Sequence, residues 1–205
     1  MTTFVAISGA SGVIYAVRLL ARLLAADRQV ALSITPMGAA ILRQELGIEV
    51  DLERFDAEAF AGVAAEAAPT AAGERVRYYR HDDLTAPMAS GSARVESMVI
   101  VPCSMGRLAR IAAGTADDLI SRAADVMLKE RRRLILVPRE APLSSIHLAN
   151  MKTLSDAGAI VLPACPAFYH RPTSIEELAD TVVERILDHL SVENEGAKRW
   201  GQRPK

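Results

Sequence analysis

Cysteine is nearly absent. The two in 205 residues, Cys103 and Cys165, form no CxxC pair, so neither a disulfide framework nor a zinc or thioredoxin-type site is encoded. That usage fits a reducing compartment. Aromatic residues are sparse at 4%, and neither sign of charge is in excess, with 24 Lys and Arg against 25 Asp and Glu for a net charge of −1. The balance removes the basic footprint of a protein that lives on nucleic acid or an anionic membrane. Partners are therefore expected among small molecules and copies of the same chain. No apolar run approaches the ~18 residues that would span a bilayer. The opening Met1-Thr2-Thr3-Phe4-Val5 lacks the basic segment of a secretory signal. A cytoplasmic protein, off the membrane and off nucleic acid, is the expectation.

What is present is aliphatic. Half of the residues are hydrophobic at a mass of 22.1 kDa, enough to bury one sizeable core. Residues 3 to 8 form a short apolar run ending at Gly9, and a helical stripe through Val13, Val17, Leu20 and Leu24 follows. A second strand at 29 to 35 and a helix at 38 to 46 complete a βαβα opening, whose right-handed crossover makes the strands parallel neighbours. An Ala-rich stretch suggests a helix near 55 to 67, then a loop and a strand near 76 to 80. Residues 84 to 96 are small, polar and punctuated by Gly and Pro, and read as a long functional loop.

Beyond it the spacing predicts strands at 97 to 102, 134 to 138 and 159 to 163. Helices are predicted at 106 to 113, 117 to 130, 144 to 157 and 174 to 190, the last opened by a capping-box pair, Ser174 and Glu177. Continuous apolar strands imply helices on both faces. The fold class is α/β: one doubly wound, Rossmann-like and mostly parallel sheet over residues 1–190, with a polar tail over 191–205.

In such sheets ligands bind outside the carboxyl ends of the strands. Those ends carry Gly9-Ala10-Ser11-Gly12, Thr35, Cys103-Ser104-Met105-Gly106, Arg139-Glu140 and Ala167-Phe168-Tyr169-His170. The first turn opens a helix, whose free N–H groups and dipole suit a phosphate. Its GxxG spacing is not the dinucleotide fingerprint, and tight packing is the competing reading. Asp118, Arg122, Asp125 and Lys129 fall on one stripe, either a solvated ion-pair ladder or, with Arg122 and Lys129 turned inward, a phosphate site. Arg131, Arg132 and Arg133 are expected to complement the same helix's C-terminal dipole.

Arg139 and Glu140 follow a buried strand, where plain surface is not expected, so one would hold an anion and the other move a proton. Both cysteines, at the ends of apolar strands, are expected to be small core residues. The four His lack metal spacing, and neither Asp82-Asp83 nor Asp117-Asp118 extends to a DDxxD box. No GxSxG elbow is present. Trp200, the one Trp, lies in the polar tail, as an anchor on another subunit or in a disordered end.

Six segments carry a family likeness. Ile7 to Gly12, Ala89 to Ser92, Val101 to Ser104, Arg122 to Arg131, Leu136 to Pro142 and Phe168 to His170 together resemble the UbiX-type (UbiX/Pad) flavin prenyltransferases over nearly the whole chain. The resemblance implies a metal-independent flavoprotein enzyme. It would transfer a dimethylallyl group from dimethylallyl monophosphate to N5 and C6 of reduced FMN, giving prenylated FMN for UbiD-type decarboxylases. By that likeness Gly9, Ala10, Ser11, Thr35, Ser104, Met105 and Arg122 would hold FMN, with Ser90 near the flavin.

Lys129, Arg139, Tyr169 and Arg185 would hold the prenyl phosphate, and Glu45, Glu140 and Trp200 would complete the pocket. Ser11, Glu45, Lys129 and Glu140 would take part in the chemistry. The family assembles as a homododecamer with sites at subunit junctions. Met105 stands where many relatives have Thr, and Thr35 where Ser is common.

Two other readings compete. Flavin-dependent cysteine decarboxylases share the fold type but use an early His base and a PxMNxxMW segment, and here the first helix has no His and Asn150-Met151 lacks those flanks. A flavin carrier without catalysis would have no use for a second phosphate pocket.

Overall fold

A computed structural model of the chain describes residues 2–64 and 73–193. Six strands form one parallel sheet in the order β3-β2-β1-β4-β5-β6. They are β1 (Thr2–Ile7), β2 (Gln29–Ile34), β3 (Val76–Tyr78), β4 (Ser97–Cys103), β5 (Arg133–Pro138) and β6 (Ile160–Val161). The helices are α1 (Val13–Ala25), α2 (Pro36–Leu46), α3 (Ala57–Ala64), α4 (Met105–Ala112), α5 (Leu119–Lys129), α6 (Ser145–Asp156) and α7 (Ile175–Leu190). The third helix was expected to run to 67, and the end of that span lies outside the described residues, as do Trp200 and the tail from 194.

Strand alternation splits the core in two. Val5 and Ile7, Val99 and Val101, and Ile135 and Val137 face a layer built from Leu19, Leu20 and Leu23 of α1 and Val182, Val183 and Ile186 of α7. Phe4 and Ala6, Met98 and Ile100, and Leu134 and Leu136 face Leu108 of α4, Leu119 and Ala123 of α5 and Leu154 of α6. A sheet covered on both faces has no polar side, which is why its strands read as unbroken apolar runs. Truncating any one of these fully buried Leu or Ile side chains would cost about 2–5 kcal/mol.

The helices begin where hydroxyl or carboxylate groups can take their first free N–H groups. Thr35 caps α2, Ser104 caps α4, Asp118 caps α5, Ser144 caps α6 and Ser174 caps α7. The spacing at Ser174 makes only half of the expected box: its Oγ accepts from Glu177 N, while the Glu177 carboxylate accepts from Thr173 N and Oγ. The reciprocal box lies at Ser144, where His147 stands in for the usual Glu.

Further local expectations are corrected by the tertiary packing. Asp118 precedes α5 and turns to Arg107, Lys129 pairs with its neighbour Glu130, and Arg122 with Asp125 is the pair of the supposed ladder that forms. Arg132 leaves its helix end for the loop, donating to the carbonyls of Gly91 at 2.6 Å, Ala93 at 2.7 Å and Val95 at 3.4 Å. Cys103 is fully buried as expected, but Cys165 is exposed, although the chain stays bonded to β5 as far as Ala164, whose N donates to Pro138 O at 2.9 Å.

Candidate active site

The strand order reverses between β1 and β4. β1 turns to β2 on one side and β4 to β5 on the other, which opens a crevice at the carboxyl edge. A cavity of about 380 Å³ lies there. Its walls are Gly9, Ala10 and Ser11 from the turn after β1, Ile41, Gln44 and Glu45 from α2, Ser104 and Met105 after β4, and Arg139 and Glu140 after β5. A larger groove of about 620 Å³ under the end of α2 is walled by Leu46, Ile48, Val50, Phe55 and Phe60. It gathers no comparable convergence of turns, and the smaller cavity is the candidate site.

Close approach builds the first turn. Gly12 has φ +101°, a left-handed conformation that favours glycine, and a Cβ on Gly9 would sit 2.5 Å from Met37 Cγ. Gly38 lets α2 ride against the end of β1, where an added Cβ would come within 2.7 Å of Ile7 O. That docking brings Glu45 across to the mouth of α1. Its carboxylate accepts from Gly12 N at 2.9 Å and Val13 N at 3.1 Å. The α1 N-terminus, where the sequence leaves a phosphate cradle and tight packing as competing readings, carries the Glu45 carboxylate.

The other walls are fixed just as specifically. Arg139 Nε donates to Ser11 O at 3.1 Å, locking the β5 turn to the β1 turn. Glu140 accepts from Ala141 N. Both are exposed at the rim rather than buried. Ser104 Oγ accepts from Arg107 N at 3.2 Å as the α4 cap, and Gly106 beside it faces open space. Arg107 bridges Asp118 and Ser121, each at 2.6 Å, and ties α4 to α5. Burial alone would raise the Asp118 carboxyl, but the hydrogen bonds from Arg107 and Ser121 hold it below its usual range. Tyr15 packs against Gly12, and burial, with Cys165 adding to it and Arg139 opposing, raises its phenol.

Of the residues singled out from the sequence, Gly9, Ala10, Ser11, Glu45, Ser104, Met105, Arg139 and Glu140 meet in this cavity. Thr35 sits at the adjacent β2 end, buried, with its hydroxyl engaged by Gly38 N. Tyr169 lies beyond β6, about half exposed, its ring 3.9 Å from that of His170.

Ser90, Arg122, Lys129 and Arg185 do not line the cavity. Arg122 Nε holds Ala89 O at 3.0 Å, on the loop that carries Ser90. Lys129 ends α5, and the chain then turns straight into β5, so it lies at the edge where strands begin, a helix length of about 16 Å from the opposite edge. Arg185 is in the second half of α7, whose end meets the starts of β2 and β5 through Arg28 and Arg133. It is exposed and pairs with Asp188 at 2.9 Å. Ile41 and Gln44 were not anticipated; their signal was the helical spacing that puts them on the same face as Glu45.

Reduced FMN fits the cavity by its donor set. Ser11 and Ser104 supply hydroxyls, the opening turn of α4 supplies N–H groups, and Arg139 supplies a cation, a combination suited to a phosphate and a polar ring edge. Among the described residues no cluster of three or more His, Cys, Asp or Glu is placed to hold a metal, and no helix is long and apolar enough to cross a membrane.

Residues 1–187 match the Flavoprotein family model. A curated relative from Pseudomonas aeruginosa, flavin prenyltransferase UbiX, is 46% identical over 96% of this chain and 92% of its own. The crystal structure of AnUbiX (PadA1) in complex with FMN and dimethylallyl pyrophosphate superposes with a TM-score of 0.85 at 37% identity, covering 99% and 98% of the two chains. A dodecameric FMN-dependent UbiX-like decarboxylase from Escherichia coli O157:H7 gives 0.84 at 35% identity, covering 98% and 100%. The peptidyl-cysteine decarboxylase EpiD, at 12% identity and a TM-score of 0.55, shares the fold alone.

Proposed function

Because the chain belongs to the UbiX flavin prenyltransferases, a branch of the flavoprotein family, we propose that it moves a dimethylallyl group from dimethylallyl monophosphate to N5 and C6 of reduced FMN. The carbon–oxygen bond of the allylic phosphate breaks as its carbon bonds to N5, whose proton is lost. The prenyl double bond then takes up a proton and its tertiary carbon bonds to C6 as the C6 proton leaves, so that one proton is lost net, to the inorganic phosphate released. Reduced FMN supplies the nucleophilic nitrogen and carbon. The observation that carries this reading is the convergence of Ser11, Glu45, Ser104, Arg139 and Glu140 on one cavity at the strand switch.

In this reading Gly9, Ala10, Ser11, Thr35, Ser104, Met105 and Arg122 hold FMN, with Ser90 beside it. Lys129, Arg139, Tyr169 and Arg185 bind the phosphate, and cations that meet its growing charge favour departure without a metal. Tyr169 and Trp200 would wall the allyl cation through their ring faces. Glu140 takes a proton and Glu45, with Ser11, orients or relays another. Trp200 lies outside the described residues.

Lys129 and Arg185 are directed away from their own chain's cavity, which supports a site completed by neighbouring subunits in a homododecamer. We place the product's use with a UbiD-type decarboxylase. The two free thiols support a cytoplasmic setting.

The test is anaerobic incubation of the protein with FMN, a reductant and dimethylallyl monophosphate, followed by mass spectrometry of the released flavin. A gain of one C5H8 unit is expected. Unchanged FMN with both the monophosphate and the diphosphate donor, while flavin is bound and reduced, would overturn the reading.

A further inference from the structure

The crevice that gathers the ligand-bearing turns exists because β1 and β4 part company. Their ladder runs to Ala6 opposite Ile100. Beyond that point Ile7 O accepts from Thr35 N on the β2 side, and Cys103 pairs with Pro138 of β5. Two strands that separate there leave the spacing of their turns to whatever crosses the gap.

Ser8 crosses it. Its backbone N donates to Pro102 O at 3.3 Å, its Oγ donates to the same carbonyl at 2.9 Å, and Ser104 N donates to Oγ at 2.9 Å. The side chain is buried, at 1% exposure, and its proton and an oxygen lone pair are both engaged, so it is not placed to touch a ligand. The two residues after it, Gly9 and Ala10, and the residue it binds, Ser104, all line the cavity.

We infer that Ser8 is a positioning residue: its hydroxyl sets the distance between the β1 turn and the β4 turn, and so the fit of the flavin between them. Removing the hydroxyl leaves Ser104 N, half-buried at the cavity wall, and part of the Pro102 carbonyl's bonding without that partner. Such groups regain partners by moving toward water, which here means opening the crevice. The inference rests on the reading of this cavity as the flavin site.

The experiment compares Ser8→Ala, Ser8→Thr and Ser104→Ala by FMN titration, followed by flavin fluorescence, and by steady-state prenyl transfer. Folding is checked by circular dichroism. Ser8→Ala is expected to weaken FMN binding about tenfold, leaving the KM for the prenyl donor at saturating flavin within about twofold. Ser8→Thr, which keeps the hydroxyl, is expected to restore binding to within about threefold. Flavin affinity unchanged in Ser8→Ala, an equal loss for the donor, or no rescue by Thr would each overturn the inference. If Ser104→Ala also leaves FMN affinity unchanged, the flavin reading of the cavity fails and takes this inference with it. If Ser104→Ala weakens binding and Ser8→Ala does not, the role of Ser8 alone is lost.

Discussion

The Glu45 carboxylate accepts from Gly12 N at 2.9 Å, across 33 residues of sequence. A helix start carries unsatisfied N–H groups and the positive end of a dipole, and an anion there is favourable. Gly12 offers no side chain to cap α1, so Glu45 does so from α2. The same carboxylate lines the cavity, which makes the cap part of the site's floor.

Replacing Glu45 therefore separates two effects. Glu45→Ala is expected to lower stability by about 1 kcal/mol, the ordinary cost of a lost N-cap, and to slow prenyl transfer about 100-fold through loss of its part in proton movement. Glu45→Gln should recover most of the stability and little of the rate. Thermal unfolding and a timed flavin assay read the two quantities separately.

Lys129 tests how the site is assembled. It pairs with Glu130 on an exposed helix end, so Lys129→Ala should fold normally, bind FMN and turn over at least about 100-fold more slowly once the cation facing the leaving phosphate is gone. Glu140→Gln should be similarly slow for a different reason. Subunits of the two variants, mixed and reassembled, should recover about a quarter of wild-type activity if each site takes Lys129 from one chain and Glu140 from another. Sites built within one chain would recover nothing.

Asp118 sets an acid limit. Its carboxyl is raised by burial but held below the usual range, on balance, by Arg107 and Ser121. A depressed folded pKa stabilises the protein above the ordinary carboxylate range, and the contribution is lost as pH falls through the folded value. Asp118→Asn keeps the cap but removes the charge that faces Arg107, so it should cost about 1–2 kcal/mol at neutral pH and almost nothing at the acid end. Denaturant melts across pH 2 to 7, with wild type and variant side by side, measure the convergence.

The two thiols should differ sharply. Burial pushes the Cys103 thiol up to about 12, with Arg107 weakly opposing, whereas Cys165 is exposed. A thiol-exchange reagent such as DTNB should modify one cysteine per native chain and both after unfolding. Two fast thiols in the folded protein would contradict the burial of β4's end.

Much of this architecture was legible in the sequence because it is local. Apolar runs of five or six residues, glycine turns and 3.6-residue stripes mark strands and helices from within a dozen residues of themselves. The turns after the strands could be named as the site because parallel topology brings strand ends together. The family likeness added FMN and the allylic phosphate, which composition and spacing alone do not specify.

Spacing was silent, or misleading, wherever the partner is remote. The supposed charge ladder on α5 looked local, yet Asp118 went to Arg107 and Arg132 to the loop at Gly91, Ala93 and Val95, because buried carbonyls and helix starts demand donors and acceptors regardless of chain distance. Cys165 looked like the end of a core strand, but it follows the last bond to β5, at Ala164, on the open edge of the sheet and lies exposed.

By itself, then, the sequence determined the element order, the two-sided burial of the sheet and the family, and it pointed to the carboxyl edge as the candidate site. The tertiary structure decided which groups are spoken for there. Glu45 caps the α1 N-terminus, Ser8 ties two turns that lie 94 residues apart, and Arg139 reaches 128 residues back to Ser11. Those choices depend on where folded elements come to rest against each other, and no periodicity along the chain encodes that.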